Sequence, residues 1–330
     1  MKIKQAVFSD PAAARDDLNP LAALKPNLVL VFASPRWFNA SSIASDLAAT
    51  FPEALILGCS TAGEISSVGV HAGHCIVTAV RFEQTRLAAA TTDLAGMADS
   101  AAAGRRLGER LKRDDLRAIL LFGQGVQING SALIEGMRAV LDPAVVVTGG
   151  LAGDEGAFSQ TWTIGPDGVS NRAVVALGLG GPHLRFSHGS FGGWEPFGPP
   201  RKATRCDGNI LYELDREPAL EVYKRYLGDY ARDLPASGLL FPFAMLAGDR
   251  KDTGLIRTIL GINEADNSLV LAGDIQADGY LQLMHASTDS LVNGAEAAAQ
   301  AAGQMDSQAA SGLAILVSCV GRKLAMGARV

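Results

Sequence analysis

The feature that most constrains this chain is a pattern written twice. Asn27–Phe32 and Ala118–Phe122 are short, unbroken apolar runs, the pattern of a strand buried on both faces. Each leads into a helix and then into a second apolar strand. After the first run, Ser41 or Ser42 caps a helix with Ile43, Ala44, Leu47 and Ala48 on one face and Pro52 as its stop, and Ala54–Leu57 is the next strand. After the second, a loop over 123–130 opens a helix over Ser131–Leu141, with Leu133, Ile134, Met137 and Leu141 inward, and the strand Ala144–Val147 follows. The exits match as well. Gly58-Cys59-Ser60-Thr61-Ala62-Gly63-Glu64 and Gly149-Gly150-Leu151-Ala152-Gly153-Asp154 share small residues, an Ala-Gly pair and a terminal carboxylate. The expected fold class is α/β, with repeated βαβ units and largely mixed β-sheets covered by helices. Were the two exits in one sheet, they would lie at strand carboxyl ends on the same edge and face one ligand.

Composition narrows what such a fold is for. A chain of 330 residues, 48% hydrophobic with 37 glycines, makes two ordinary domains with a real core. The net charge of -5 and the lack of basic clusters beyond Arg105-Arg106 and Arg201-Lys202 argue against a nucleic-acid partner. The start, Met1 to Asp10, has no apolar signal-peptide core, and no apolar run is long enough to span a bilayer. The expected location is cytoplasmic, without membrane attachment. Four cysteines at 59, 75, 206 and 319 lack Cys-x-x-Cys spacing, so they read as reduced thiols rather than a disulfide or zinc framework.

Along the remaining chain, 68–82 and 86–93 read as strands and Ser100–Lys112 as a helix. Trp162–Ile164, a Gly165-Pro166-Asp167-Gly168 turn and Ala173–Leu179 form a β-rich stretch, and Ser187 to Pro200 reads as an irregular glycine, proline and aromatic loop. Asn209–Leu214 is a strand, and a helix starts at Pro218 and stops at Gly228. Composition shifts there, which divides the chain into 1–216 and 217–330. Beyond it come strands over Leu239–Leu246, Ile256–Asn263, Ser268–Ala272 and Tyr280–His285, a helix over 289–304, and a last strand at Leu313–Val317 running into Ser318-Cys319-Val320-Gly321-Arg322-Lys323. No further packed element is expected after it.

Three motifs together resemble the FIST proteins, which pair a FIST N with a FIST C domain. They are Ile56-Leu57-Gly58-Cys59-Ser60-Thr61-Ala62-Gly63-Glu64-Ile65 with the Gly149 to Asp154 exit, Asn209 to Asp215 with Pro218 to Tyr223, and Ser318 to Arg322. The resemblance implies a FIST N-like ligand-sensing domain over 1–216 and a FIST C-like domain over 217–330 that looks short at its C-terminus, a feature that would leave an apolar edge open for homodimerisation. It implies a sensory module for a small ligand, with amino acids proposed, that signals to a histidine kinase or to a diguanylate cyclase or phosphodiesterase of cyclic-di-GMP. One branch of the family binds haem and senses nitric oxide. Ser187-His188-Gly189 and Trp194 match a family loop, with Ser190 to Gly193 inserted between the histidine and the tryptophan.

The residues themselves leave three chemistries open. For an amino-acid-like ligand, Cys59, Ser60 and Thr61 with the Gly149-Gly150 amides supply donors, Asp154 an acceptor for ammonium, and Arg322 a fork for carboxylate. For haem, His188 beside Phe191, Trp194 and Phe197 is the candidate axial ligand, with His183 and His285 behind it. For a Ser/His hydrolase, Ser60 in Gly58-x-Ser60-x-Ala62 approximates a nucleophile elbow, although its second glycine is Ala62. His71 and His74 beside Cys75 read as loop histidines rather than metal ligands, and Asp249 and Asp252 as turn residues.

Overall fold

The computed structural model describes residues 1–11, 18–39, 42–304 and 312–327. Ser41, one of the two expected helix caps, lies outside them. The described residues divide into two compact units, one of 1–128, 133–187 and 312–317, the other of 129–132, 188–304 and 318–327.

The first unit repeats one module in full. Its first copy runs β1 (Lys2–Phe8), α1 (Asn19–Ala22), β2 (Leu28–Ala33), α2 (Arg36–Asn39), α3 (Ile43–Thr50), β3 (Leu55–Ser60), a small hairpin of β4 (Glu64–Ser66) and β5 (Gly69–His71), and β6 (Cys75–Arg81). The second runs β7 (Arg86–Asp93), α4 (Ser100–Leu111), β8 (Leu116–Gly123), α5 (Gly130–Arg138), β9 (Val146–Leu151), a hairpin of β10 (Thr163–Gly165) and β11 (Gly168–Ser170), and β12 (Ala173–Gly180). The strand orders correspond, β1-β6-β2-β3 in one sheet and β7-β12-β8-β9 in the other. In each the βαβ pair is parallel and the last strand inserts antiparallel between the first strand and that pair. The hairpin of the second copy crosses over, pairing β10 with β3 and extending the first sheet. The two βαβ units therefore belong to separate sheets.

These sheets pack face to face with helices outside, and the strands show why both faces had to be apolar. Leu28 and Leu30 of β2, Ala118, Leu120 and Phe122 of β8, and Val175, Leu177 and Leu179 of β12 fill the layer between the sheets. The alternate residues turn outward, Val29, Val31 and Ala33 to the core with Ile43 and Leu47 of α3, and Ile119 and Leu121 to the core with Leu107 of α4 and Met137 of α5. Each such buried side chain contributes about 1.5–3 kcal/mol. Phe32 and Phe122, which occupy equivalent places in the two modules, meet edge to face with ring centres 5.4 Å apart.

Two exit motifs are strand for longer than expected. Gly58, Cys59 and Ser60 complete β3, and Gly149, Gly150 and Leu151 complete β9. The glycines serve the partner strand, since a Cβ on Gly58 would stand 1.8 Å from the Val31 carbonyl oxygen and one on Gly149 1.9 Å from that of Leu121. Gly149 also has φ +143°, which side chains rarely adopt. Since Val31 aligns with Gly58 and Leu121 with Gly149, Gly58 and Gly149 are equivalent, and the Ala-Gly pairs read as matching are one residue out of step.

The second unit is a mainly antiparallel sheet. It comprises β13 (Glu195–Pro196), β14 (Arg201–Asp207), β15 (Ile210–Leu214), β16 (Glu217–Pro218), α6 (Ala219–Leu227), β17 (Phe243–Leu246), β18 (Asp252–Arg257), β19 (Ile259–Asn263), β20 (Ser268–Leu271), β21 (Tyr280–His285), α7 (Thr288–Gln304) and α8 (Val320–Met326). The order is β18-β17-β21-β14-β15-β20-β19, with β13 on β21 and β16 on β15. α6, which starts after Pro218 and ends at Gly228 with φ 56°, buries Leu220, Tyr223 and Leu227 on this sheet.

Several strands expected here differ. The Leu239–Leu246 run begins as a 3-10 turn over Ala236–Leu240, and Ile256–Asn263 is split between β18 and β19. Similarly, 68–82 breaks into β5 and β6 around Gly73, φ 75°. Leu313–Val317 is extended but joins no ladder, and it packs Leu313 and Ile315 into the layer between the sheets of the first unit. After it comes a helix, α8, whose start is capped by Cys319 as its sulfur accepts from the Arg322 amide. Replacing Gly149 with alanine is expected to lower unfolding free energy by about 3 kcal/mol or more, read by chemical denaturation against wild type.

Candidate functional site

The two parallel pairs end at one place even though they belong to different sheets. Past β3, the Thr61 amide donates to the Ala33 carbonyl at 2.9 Å, and past β9 the Ala152 amide donates to Gly123 at 2.8 Å, the equivalent bond in the other module. The Gly153 amide then donates to the Ser60 carbonyl at 2.8 Å and seams the exits together. Gly153 is fixed in type by this seam, because a Cβ there would lie 2.7 Å from the Ala62 nitrogen. The surface of this junction is formed by half-buried Thr61, Ala62, Gly63, Gly153 and Asp154. Carboxyl ends of parallel strands are where open α/β sheets hold ligands.

Beneath that surface the polar groups are engaged. Ser60 is fully buried, its hydroxyl accepts from the Trp162 amide at 2.9 Å, and its own amide donates to the Trp162 carbonyl at 2.8 Å. It is a strand residue holding β10, and not a nucleophile on an open turn. Cys59 is buried between the sheets, and desolvation pushes its thiol up to about 12, so it stays protonated and unreactive near neutral pH. The Cys75 thiol is likewise pushed up, first by burial and then by the nearby Glu64 carboxylate. Gly149 and Gly150 are half-buried in β9, with Gly150 facing Val317, where an added Cβ would lie 2.9 Å from its methyl carbon.

The two carboxylates of the exits do different work. Asp154 accepts from the amides of Phe158, Ser159 and Gln160 at 3.2, 2.7 and 3.2 Å and thereby folds the loop that follows β9. Glu64 is 1% exposed. It receives the Thr61 hydroxyl at 2.6 Å and the His74 amide at 3.0 Å, which ties the exit of β3 to the start of β6. A second buried set backs the other exit, where Gln124 donates to the Ala173 carbonyl and accepts from Thr161, each at 2.7 Å, while Thr161 accepts from the Gly125 amide at 2.9 Å.

Sequence reasoning gave no role to Gln124 or Thr161, whose pairing across 37 positions has no local signature. Glu64 was visible only as the carboxylate that closes the exit motif.

Arg322 belongs to the second unit, where both ends of its guanidinium are taken, by the Gly192 and Leu291 carbonyls at 2.7 Å each. The residues grouped for haem do not fit that group. His188 is exposed, Phe191 is 55% exposed, Trp194 packs with Ala244, Leu246 and Met284, and Phe197 meets Tyr226 and His285 edge to face. These side chains enclose no common apolar pocket around an axial histidine. His71 bonds Ser66 at 2.8 Å and His74 the Ala72 carbonyl at 2.8 Å. Among the described residues no set of three His, Cys, Asp or Glu converges on a metal position, and no helix is long and apolar enough to cross a membrane.

Comparison with known proteins follows the two halves of the chain. Residues 27–217 match the FIST N domain and residues 219–330 the FIST C domain. Over 88 residues the chain is 31% identical to the uncharacterized protein MJ1623 of Methanocaldococcus jannaschii, a stretch that is 27% of this chain and 17% of that protein's length.

The burial of Cys59 and Cys75 and the exposure of Cys319 set an order of thiol reactivity. In the folded protein a disulfide reagent at pH 8 is expected to label Cys319 rapidly and to reach Cys59 and Cys75 only on unfolding. Raising the pH by one unit leaves Cys59 protected, because its pKa of about 12 lies above both values. Mass spectrometry of the labelled peptides distinguishes the sites.

Proposed function

The chain belongs to the FIST family, and on that premise we propose that it is a non-catalytic sensor whose N domain, residues 1–216, takes a small polar, amino-acid-like ligand at the joined exits of β3 and β9. FIST domains are sensory signalling domains, so the coarse role follows from membership. The seam from the Gly153 amide to the Ser60 carbonyl carries the finer reading. It brings the carboxyl ends of two parallel pairs into one surface of small residues and a hydroxyl, where a ligand's polar groups meet backbone without bulky side chains in the way.

Within this surface Thr61 is the side chain best placed to act. Its hydroxyl already donates to Glu64, so a ligand that offered a better acceptor, or an ammonium group that Glu64 preferred, would loosen the tie between the β3 exit and β6. Cys59 and Ser60 act from below as the floor, and Asp154 and the Gly149-Gly150 segment shape the opposite lip. A ligand favouring one arrangement of this junction shifts the population of the whole protein by its differential affinity. The C domain, residues 217–330, then presents the change to a cytoplasmic partner, a histidine kinase or a cyclic-di-GMP enzyme. Absence of turnover is supported by the buried, strand-bound Ser60 and the protonated Cys59.

Thermal unfolding in the presence of each of the twenty amino acids tests the reading. One or a few related ones are expected to raise the melting temperature, since a ligand at about 100 times its Kd adds about 2.7 kcal/mol to the folded state. Thr61→Val is expected to cost the unliganded protein about 1–3 kcal/mol through the lost bond to buried Glu64 and to abolish the ligand-induced rise measured from its own baseline. No rise with any amino acid, or an undiminished rise in Thr61→Val, rejects this site.

A further inference from the structure

Among the described residues, the edge strand β1 is long, regularly paired and open on its outer side. An uncovered edge strand presents a row of unpaired backbone groups, and proteins shorten, bulge, charge or cover such edges. β11 has three residues. β18 is broken by a register shift against β17 and by Gly254 at φ 72°. β9 lies by Val317 and β7 is half-buried through most of its length. β1 is different. Its seven residues pair with β6 without a single shift, from Lys2 opposite Arg81 to Phe8 opposite Cys75, and among the described residues no strand takes its other side.

The side chains of β1 divide by face. Ala6 and Phe8 turn to the core under the helices, and Lys4 on the same side donates to the Pro20 carbonyl at 3.3 Å. On the other side Ile3 and Val7 are 37% and 36% exposed, and Gln5 between them bonds the Thr78 hydroxyl at 3.0 Å and the Ser67 amide at 2.9 Å. Ser67 brings with it the tip of the β4–β5 hairpin, where Val68 is 81% exposed and Val70 44%. A regular free edge is thus flanked by apolar side chains.

We propose that β1 is the interface of a homodimer in which the β1 strands of two copies pair antiparallel about a two-fold axis at Gln5. The sequence Lys2-Ile3-Lys4-Gln5-Ala6-Val7-Phe8 suits its own copy in that register. Ile3 falls opposite Val7, Lys4 opposite Ala6 and Lys2 opposite Phe8, so apolar pairs form and no two lysines face each other. Moving the axis to Lys4 sets lysine against lysine, which is unfavourable in a cross-strand pair, and shortens the paired strand. The Gln5 register uses all seven residues and joins two six-stranded sheets into one. It is independent of where a ligand binds.

Sedimentation velocity of the full chain from micromolar to hundreds of micromolar tests the proposal, together with two variants. Wild type is expected to sediment as a dimer at the upper concentrations. Ile3→Lys, at an exposed position, is expected to keep its melting temperature and to weaken the dimer at least about tenfold by replacing both Ile3–Val7 apolar pairs with a charge against Val7. In a Cys319→Ser background, Gln5→Cys is expected to form a disulfide-linked dimer under mild oxidation. Lys2→Cys is not, because six strand positions separate the two copies of residue 2, about 20 Å. A wild type that stays monomeric throughout overturns the proposal, as does an Ile3→Lys dimer of unchanged strength. Crosslinking through Lys2→Cys without Gln5→Cys overturns it as well.

Discussion

The layer of side chains between the two sheets of the first unit is the constraint on which the other features depend. Because each sheet carries helices on its outer side, the central strands are enclosed on both faces, and alternation of apolar with polar residues is ruled out. Apart from the exposed Arg117 near the start of β8, every position in β2, β8 and β12 is apolar or small. That layer also fixes the distance between the two parallel pairs, and so the meeting of their exits at Ser60 and Gly153. Phe32 meets Phe122 across it, the same position in both copies of the module.

Much of this was legible from residues alone, for a physical reason. A strand buried on both sides announces itself by an unbroken apolar run, which is why β2, β8 and β12 stand out, as does the exposed-ended β7 by its turns. The duplicated βαβ pattern was visible too. Hidden from the sequence was the sheet to which each copy belongs, since backbone pairing between residues such as Thr163 and Cys59 leaves no mark on composition. Glycine misled in both exits. Gly58 and Gly149 look like loop residues, yet each sits inside a strand, where the absence of a side chain lets the neighbouring carbonyl approach. The Leu313–Val317 run shows the reverse, an apolar stretch with strand composition that is held by burial of alternate side chains and not by a ladder.

For the candidate site, the sequence marked two motifs without showing what their side chains bond. The Cys59 to Thr61 and Gly149 to Asp154 motifs do converge, but the groups with the most inviting chemistry turn out to be occupied. Ser60 fastens a crossing strand, Asp154 organises a turn, and Arg322 ties main-chain carbonyls together in the other unit. Such engagement is invisible in a linear reading, because a hydroxyl, carboxylate or guanidinium looks the same whether it awaits a ligand or closes a loop. Glu64 illustrates the converse: a buried carboxyl group held by a hydroxyl and an amide ties the junction together, and only tertiary structure reveals it.

The way the last pieces of the first unit arrive has a consequence for synthesis. β6 must find β1 across some seventy residues, the first sheet gains β10 only after most of the second module has been made, and Leu313 and Ile315 enter the central layer later still. A chain emerging from the ribosome therefore carries an unfinished first unit until residues past Ile315 are out. A fragment ending where the N domain match ends, at residue 217, would lack part of its own interior. The two family domains are thus separable in alignment more readily than in the cell.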